Sequence, residues 1–126
     1  MTDTLVPRSL DQAAEREDDV ELLNTLAQVQ ALYGGHEAAL CLLAVADYLQ
    51  PGHPETIRAM ARINLKLGKP QVTVKLMSDL RSMEPAAFGK SDWLMIARAF
   101  ARAGKIRQAK KLFAILKTQQ GTADSA

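Results

Sequence analysis

Apolar residues in this chain recur at helical spacing, three and four positions apart, over most of its length. Leu23, Leu26 and Ala27 form one stripe, and Ala39, Leu43 and Ala46 a second. Ile57, Met60, Ala61 and Ile63 follow, then Val74, Met77 and Leu80. Trp93, Ile96, Ala97 and Phe100 make a fifth set, and Ile106, Ala109, Phe113 and Leu116 a sixth. Each spacing puts its residues on one side of a helix, so six amphipathic helices are predicted, each with one face toward a core. Gly34, Gly68 and Gly104 each stand between two such segments. Glycine there ends one helix and turns the chain into the next.

The punctuation is periodic. Gly34 to Gly68 spans 34 residues, and so does Pro51 to Pro85, whereas Gly68 to Gly104 spans 36. Two extra residues are therefore expected in the connection Pro85, Ala86, Ala87, Phe88, Gly89. Three units result, about residues 20–53, 54–89 and 90–118, each a first helix, a glycine turn and a second helix. Ala27, Ala61 and Ala97 fall at one place in each first helix, where a small side chain lets a neighbouring helix approach closely.

This pattern resembles the tetratricopeptide repeat, with its aromatic near the start, small residue mid-helix, turn glycine, alanine in the second helix and closing proline. Unit three carries Trp93, Ala97, Phe100, Gly104, Ala109 and Phe113 in register, and unit one carries Ala27, Gly34, Ala39, Ala46 and Pro51. Unit two departs from it: Thr73 stands where alanine is usual, and Asn64 where an aromatic is usual. The resemblance implies an all-α array of three tandem helix-turn-helix repeats, coiled as a short right-handed superhelix with a concave groove. Its groove-facing positions correspond to Glu21, Asn24, Gln28 and Leu32, then Glu55, Arg58, Arg62, Leu65 and Lys66, then Leu94, Arg98, Ala101 and Arg102. Such a groove holds an extended or helical segment of another protein. Its arginines would pair with carboxylates while Leu32, Leu65 and Leu94 hold apolar anchors.

Arrays of this kind that clamp the C-terminal carboxylate of heat-shock chaperones use a lysine and an asparagine one turn apart in the first unit. Here those places hold Asn24 and Gln28. The chain is more similar to the small bacterial chaperones of type III secretion, and within them to the Y-type, with needle-subunit and translocator chaperones as the other classes. The likeness lies in Leu22-Leu23-Asn24, Gly35-His36-Glu37-Ala38, Leu49 to His53, Asp92-Trp93-Leu94, Arg98-Ala99 and Gly104. It implies a cytoplasmic protein that holds a secretion component before export. Self-association of the empty chain is a further expectation, since three repeats without a polar cap leave apolar ends.

Composition narrows the picture. The 126 residues, 48% apolar and 24% charged, suit a single domain. The longest apolar run, Ala38 to Ala46, falls far short of the ~20 residues of a membrane span. One cysteine, Cys41, allows no intrachain disulfide, and a reducing bacterial cytoplasm is expected. The N-terminal stretch reads as neither a secretory signal nor a transit peptide. Residues 1–19 carry six acids against Arg8 and Arg16, a charge of −4, which leaves +6 on the remainder of a chain whose total is +2. That pattern predicts an acidic, solvated arm before a basic body, with 119–126 as a frayed tail.

Candidate catalytic chemistry is sparse. His36, Cys41 and His53 are the soft ligands, and their spacing does not build a zinc site. Cys41, inside an apolar run, is expected to be a buried small hydrophobe, and His36, after the Gly34-Gly35 turn, to face solvent. Gly34-Gly35 lacks the lysine and hydroxyl residue of a phosphate loop. Neighbouring acids in a mobile arm lack the fixed geometry of acid–base catalysis. Neither an enzymatic activity nor a cofactor is expected. Lys105, Arg107, Lys110, Lys111 and Lys117 raise the alternative of a nucleic-acid-associated regulator using a basic C-terminal helix. Their place opposite the apolar stripe, with no aromatic between them, argues for solubilising charge instead. A generic repeat scaffold outside secretion is the other alternative.

Overall fold

A computed structural model describes residues 8–125, with side chains described from 15 to 118. The fold is all-α. Six helices follow in order: α1 (Arg8–Leu32), α2 (His36–Leu49), α3 (Pro54–Lys66), α4 (Pro70–Met83), α5 (Lys90–Arg102) and α6 (Ile106–Ser125). They form three sequential hairpins, α1 with α2, α3 with α4 and α5 with α6. The chain divides into two compact units, Met1–Ala59 and Met60–Ala126, with the boundary inside α3. Among the described residues no helix is long and apolar enough to cross a membrane.

The three turns are built alike. Gly34, Gly68 and Gly104 have φ of 84°, 78° and 83°. This left-handed conformation lets the following N–H reach back five residues, and glycine adopts it without a Cβ clash. The N–H of Gly35 donates to Gln30 O, that of Lys69 to Asn64 O and that of Lys105 to Phe100 O, each at 2.8 Å. Every first helix thus has a terminal carbonyl satisfied by its own turn, and the hairpin follows from local sequence.

Helix α1 starts earlier than the periodicity predicts, running as one helix from Arg8 through the acidic stretch, with Glu15 to Asp19 exposed. Residues 1–7 of the predicted arm lie outside the described residues. At the other end α6 continues as helix through most of the predicted tail, to Ser125.

In the first unit, α1 packs on α2 around Val20, Ala27, Ala39, Leu43 and Ala46, all essentially inaccessible. Only Leu43 and Val20 in that set are large. The stripe expected on α1 is displaced: Leu26 is 44% exposed, and Val20 and Asn24 are buried with Ala27 in its stead. Asn24 takes a core position because Thr56 Oγ1 donates to its Oδ1 at 3.0 Å, meeting the hydrogen-bond need of a buried amide oxygen. Cys41, expected inside, is exposed. It lies on the opposite side of α2 from Ala39, Leu43 and Ala46, where apolar composition alone cannot tell inside from outside.

In the second unit, Ile63 and Leu65 from α3, Met77 and Leu80 from α4, Ile96, Ala97 and Ala99 from α5, and Ala109 and Leu116 from α6 are buried. Full burial of a Leu80-sized side chain contributes about 1.5–3 kcal/mol. The two departures of the middle repeat are both buried and bonded. Thr73, fully buried, donates to Ala61 O at 2.7 Å, and Asn64 donates Nδ2 to Met60 O at 2.8 Å. On α6 the expected stripe is half realised: Ala109 and Leu116 are buried, but Ile106 is 48% and Phe113 39% exposed.

The two-residue insertion forms a single 3-10 turn, Pro85–Ala87. It delivers Phe88 edge-on to Trp93, with ring centroids 5.1 Å apart, and the Arg81 guanidinium sits 5.1 Å from the Trp93 centroid. Asp92 then caps α5 by accepting from the Gly89 N–H at 2.9 Å through Oδ2.

Candidate functional site

The three first helices can be compared position by position by aligning Ala27, Ala61 and Ala97, all fully buried. Six residues earlier stand Glu21, Glu55 and Ser91, each exposed. Three earlier stand Asn24, buried, with Arg58 and Leu94, half-buried. One residue later Gln28, Arg62 and Arg98 are all exposed, and five later so are Leu32, Lys66 and Arg102. Leu65 belongs to a different row, with Ala31 and Ala101, four residues after the alanine. It is 8% exposed, so its side chain packs inside rather than standing out as an anchor.

The arginines differ in their surroundings. Arg58 Nη1 lies 2.7 Å from Glu55 Oε1, one turn away on α3. Arg102 Nη1 donates to Leu65 O at 2.9 Å, so this guanidinium closes a carbonyl near the C-terminal end of α3. Arg62 and Arg98 are exposed. Leu32, at 79% exposure, projects into solvent, and Leu94 does so only partly.

Two places gather the expected residues. In the first unit Glu21, Asn24 and Gln28 of α1 share a cavity of about 420 Å³ with Glu17 and Thr25, facing Gln50, His53 and Glu55 from the loop after α2 and the start of α3. The expected surface was mixed apolar and basic, whereas the lining of this cavity is polar and acidic. Gln50, His53 and Glu17 were not among the expected site residues. The fourfold and threefold spacing of Glu17, Glu21, Asn24 and Gln28 along one face of α1 was the available signal.

In the second unit, Leu94 lines a cavity of about 600 Å³ with Phe113 and Leu116, edged by Lys90, Ser91 and Lys117. A smaller cavity of about 220 Å³ is lined by Trp93, Leu112, Ile115 and Leu116. Phe113 therefore puts an aromatic on the accessible side of α6, where none was expected. Lys105, Arg107, Lys110, Lys111 and Lys117 are exposed, as their spacing predicts, and Lys105 Nζ lies 5.9 Å from the Phe100 centroid. His36, expected to face solvent, is half-buried.

Apolar exposure is concentrated on the first hairpin. Leu22, Leu26 and Val29 run along the side of α1 opposite Val20, Asn24 and Ala27, at 57%, 44% and 45% exposure. Leu32 and Tyr33 follow at its end, and Val45 and Tyr48 stand out from α2. No family model matches this chain, and no curated protein matches it.

Proposed function

We propose that this protein is a non-enzymatic, protein-binding chaperone that holds a segment of another protein, extended or helical, against its first helices. The observation that carries the reading is the apolar exposure of the first hairpin: seven large apolar side chains from Leu22 to Tyr48 are exposed among the described residues, three of them, Leu22, Leu26 and Val29, in one stripe along α1. An exposed apolar stripe along a helix is a surface suited to being covered by another protein. The exposed Gln28, Arg62, Lys66 and Arg98 offer polar groups by which such a partner would be oriented. The resemblance to type III secretion chaperones supplies the partner class, a component held in the bacterial cytoplasm before export.

Co-purification from the native host, with mass spectrometry of the bound protein, tests the reading. One secretion component should be retained at fixed stoichiometry and should raise the melting temperature by mass action. Arg62→Glu combined with Arg98→Glu should abolish its retention with helical content intact, whereas Lys110→Glu with Lys111→Glu should leave it unchanged. Loss with the lysine pair alone moves the binding surface to α6 and overturns the groove. A stable monomer that retains no protein overturns the chaperone reading.

A further inference from the structure

The first and third hairpins carry opposite charge. Residues 8–49 hold eight acids against Arg8 and Arg16, a charge of −6, whereas residues 90–118 hold eight lysines and arginines against Asp92 alone, a charge of +7. Asp92 is buried and caps α5, so the accessible charge of residues 90–118 is all positive. Both hairpins also expose large apolar side chains. Each surface therefore suits a cover that is apolar and of the other sign, and this one chain supplies both.

On α1 the two properties lie on one line. Glu15, Asp19, Leu22, Leu26 and Val29 succeed one another at spacings of four and three, which places them along a single face. All five are exposed, and Asp18, also exposed, stands one turn before Leu22. The face is acidic at its N-terminal end and apolar from Leu22 onward. On α6 the corresponding line is Ile106, Lys110, Phe113 and Lys117, spaced four, three and four, and again all exposed. It borders the cavity of about 600 Å³ lined by Leu94, Phe113 and Leu116, with Lys90 and Lys117 at the edge.

Laid antiparallel, the two lines fall into register. Asp19 comes level with Lys117, Leu22 with Phe113, Leu26 with Lys110 and Val29 with Ile106, every pair to within about one residue's rise of 1.5 Å. Leu22 then stands over the cavity, and Asp18 and Asp19 over the lysines at its edge. The Lys110 stem packs along Leu26 while its ammonium reaches solvent. In the parallel arrangement, with Leu22 again on Phe113, Ile106 would face Glu15 and Lys117 would face Leu26. Nucleic acid would answer the lysines but brings no apolar group for the cavity between them.

We propose that α1 of one copy of this chain docks antiparallel on α6 of a second copy, with Leu22 in the cavity beside Phe113 and with Asp18 and Asp19 against Lys117 and Lys90. The contact is heterologous, α1 to α6 rather than α1 to α1. It goes beyond the chaperone reading and needs only the chain itself. It also covers Leu22, Leu26 and Val29 until a partner displaces the second copy.

Sedimentation velocity of the full chain tests the contact, in reducing buffer because Cys41 is exposed. At low salt the average mass should rise above that of one chain as protein concentration increases, and high salt should weaken the association by about tenfold or more. Asp18→Lys with Asp19→Lys, and separately Lys90→Glu with Lys117→Glu, should each weaken it by about tenfold or more at unchanged helical content. Mixed in equal amounts, the two variants should associate again, because the native α1 of the second fits the native α6 of the first. A wild type that stays monomeric at low salt overturns the inference. So does either variant associating alone as strongly as the wild type, and so does a mixture that stays monomeric. Co-purification separates the two proposals. If the wild type retains a partner but never self-associates, this contact fails and the chaperone reading stands. If it retains none while the mixed variants associate, the chaperone reading fails and the contact stands.

Discussion

The two compact units divide their apolar residues differently between inside and outside. The first closes a core in which Ala27, Ala39, Ala46 and Ala59 stand with Val20, Leu43 and Ile57, and turns Leu22, Leu26, Val29, Leu32, Tyr33, Val45 and Tyr48 outward. The second buries Ile63, Leu65, Met77, Leu80, Ile96 and Leu116, and adds polar fastenings that the first has fewer of. Thr73 is tied to Ala61, Arg102 to Leu65, and Trp93 lies against both Phe88 and Arg81. A helix hairpin can therefore keep its geometry on a core of alanines, because close helix approach compensates for small side chains. The large side chains so released are available to another molecule. The second unit holds most of the large buried side chains, and the first most of the large exposed ones, among the described residues.

Removing Leu80 should show the largest effect. The Leu80→Ala variant leaves a cavity at a fully buried site and should lose about 2–5 kcal/mol in urea unfolding. Next is Ala61→Leu, which forces three extra carbons into a fully buried helix contact and crowds the carbonyl to which Thr73 donates. It should cost about 1–3 kcal/mol, and a neutral outcome would show that the small positions are not close contacts. Thr73→Val keeps the shape and removes only the hydroxyl bond, so a loss of about 1 kcal/mol in thermal or urea unfolding is expected.

Smallest in stability is Leu22→Ser with Leu26→Ser. Both residues are substantially exposed, so unfolding should change by less than about 1 kcal/mol while partner retention drops sharply. If this pair instead destabilises the chain as much as Leu80→Ala does, the outward stripe belongs to a core and the division between the units collapses.

Much of this was legible from the chain alone. The three hairpins follow from a 34-residue period, and each turn is closed by a bond between residues five apart, which nearby sequence suffices to specify. Ala27, Ala61 and Ala97 could be placed inside because one steric requirement recurs in every repeat. The insertion at Pro85 to Gly89 was countable from the glycine spacing, although its role in seating Phe88 on Trp93 was not. Of the residues expected at a groove, those at 28, 62, 98 and 32, 66, 102 are exposed. Leu65 and Lys66 were both expected to face a groove; Leu65 is buried and Lys66 exposed.

What the sequence by itself determined is the local architecture, six helices and three glycine turns, because those depend on interactions between residues a few positions apart. Only the tertiary structure decided which side of each helix faces inward. Helix α1 is apolar on two sides, and the burial of Asn24 in place of Leu26 depends on Thr56, 32 residues away. Arg102 is likewise engaged by Leu65 O, 37 residues away, and Cys41 lies outside because Ala39, Leu43 and Ala46 fill the opposite side of its helix. Helical periodicity fixes relative directions around one axis. It carries no information about which of two apolar faces meets a neighbour, and that choice is made by the hydrogen bonds and contacts that distant residues supply.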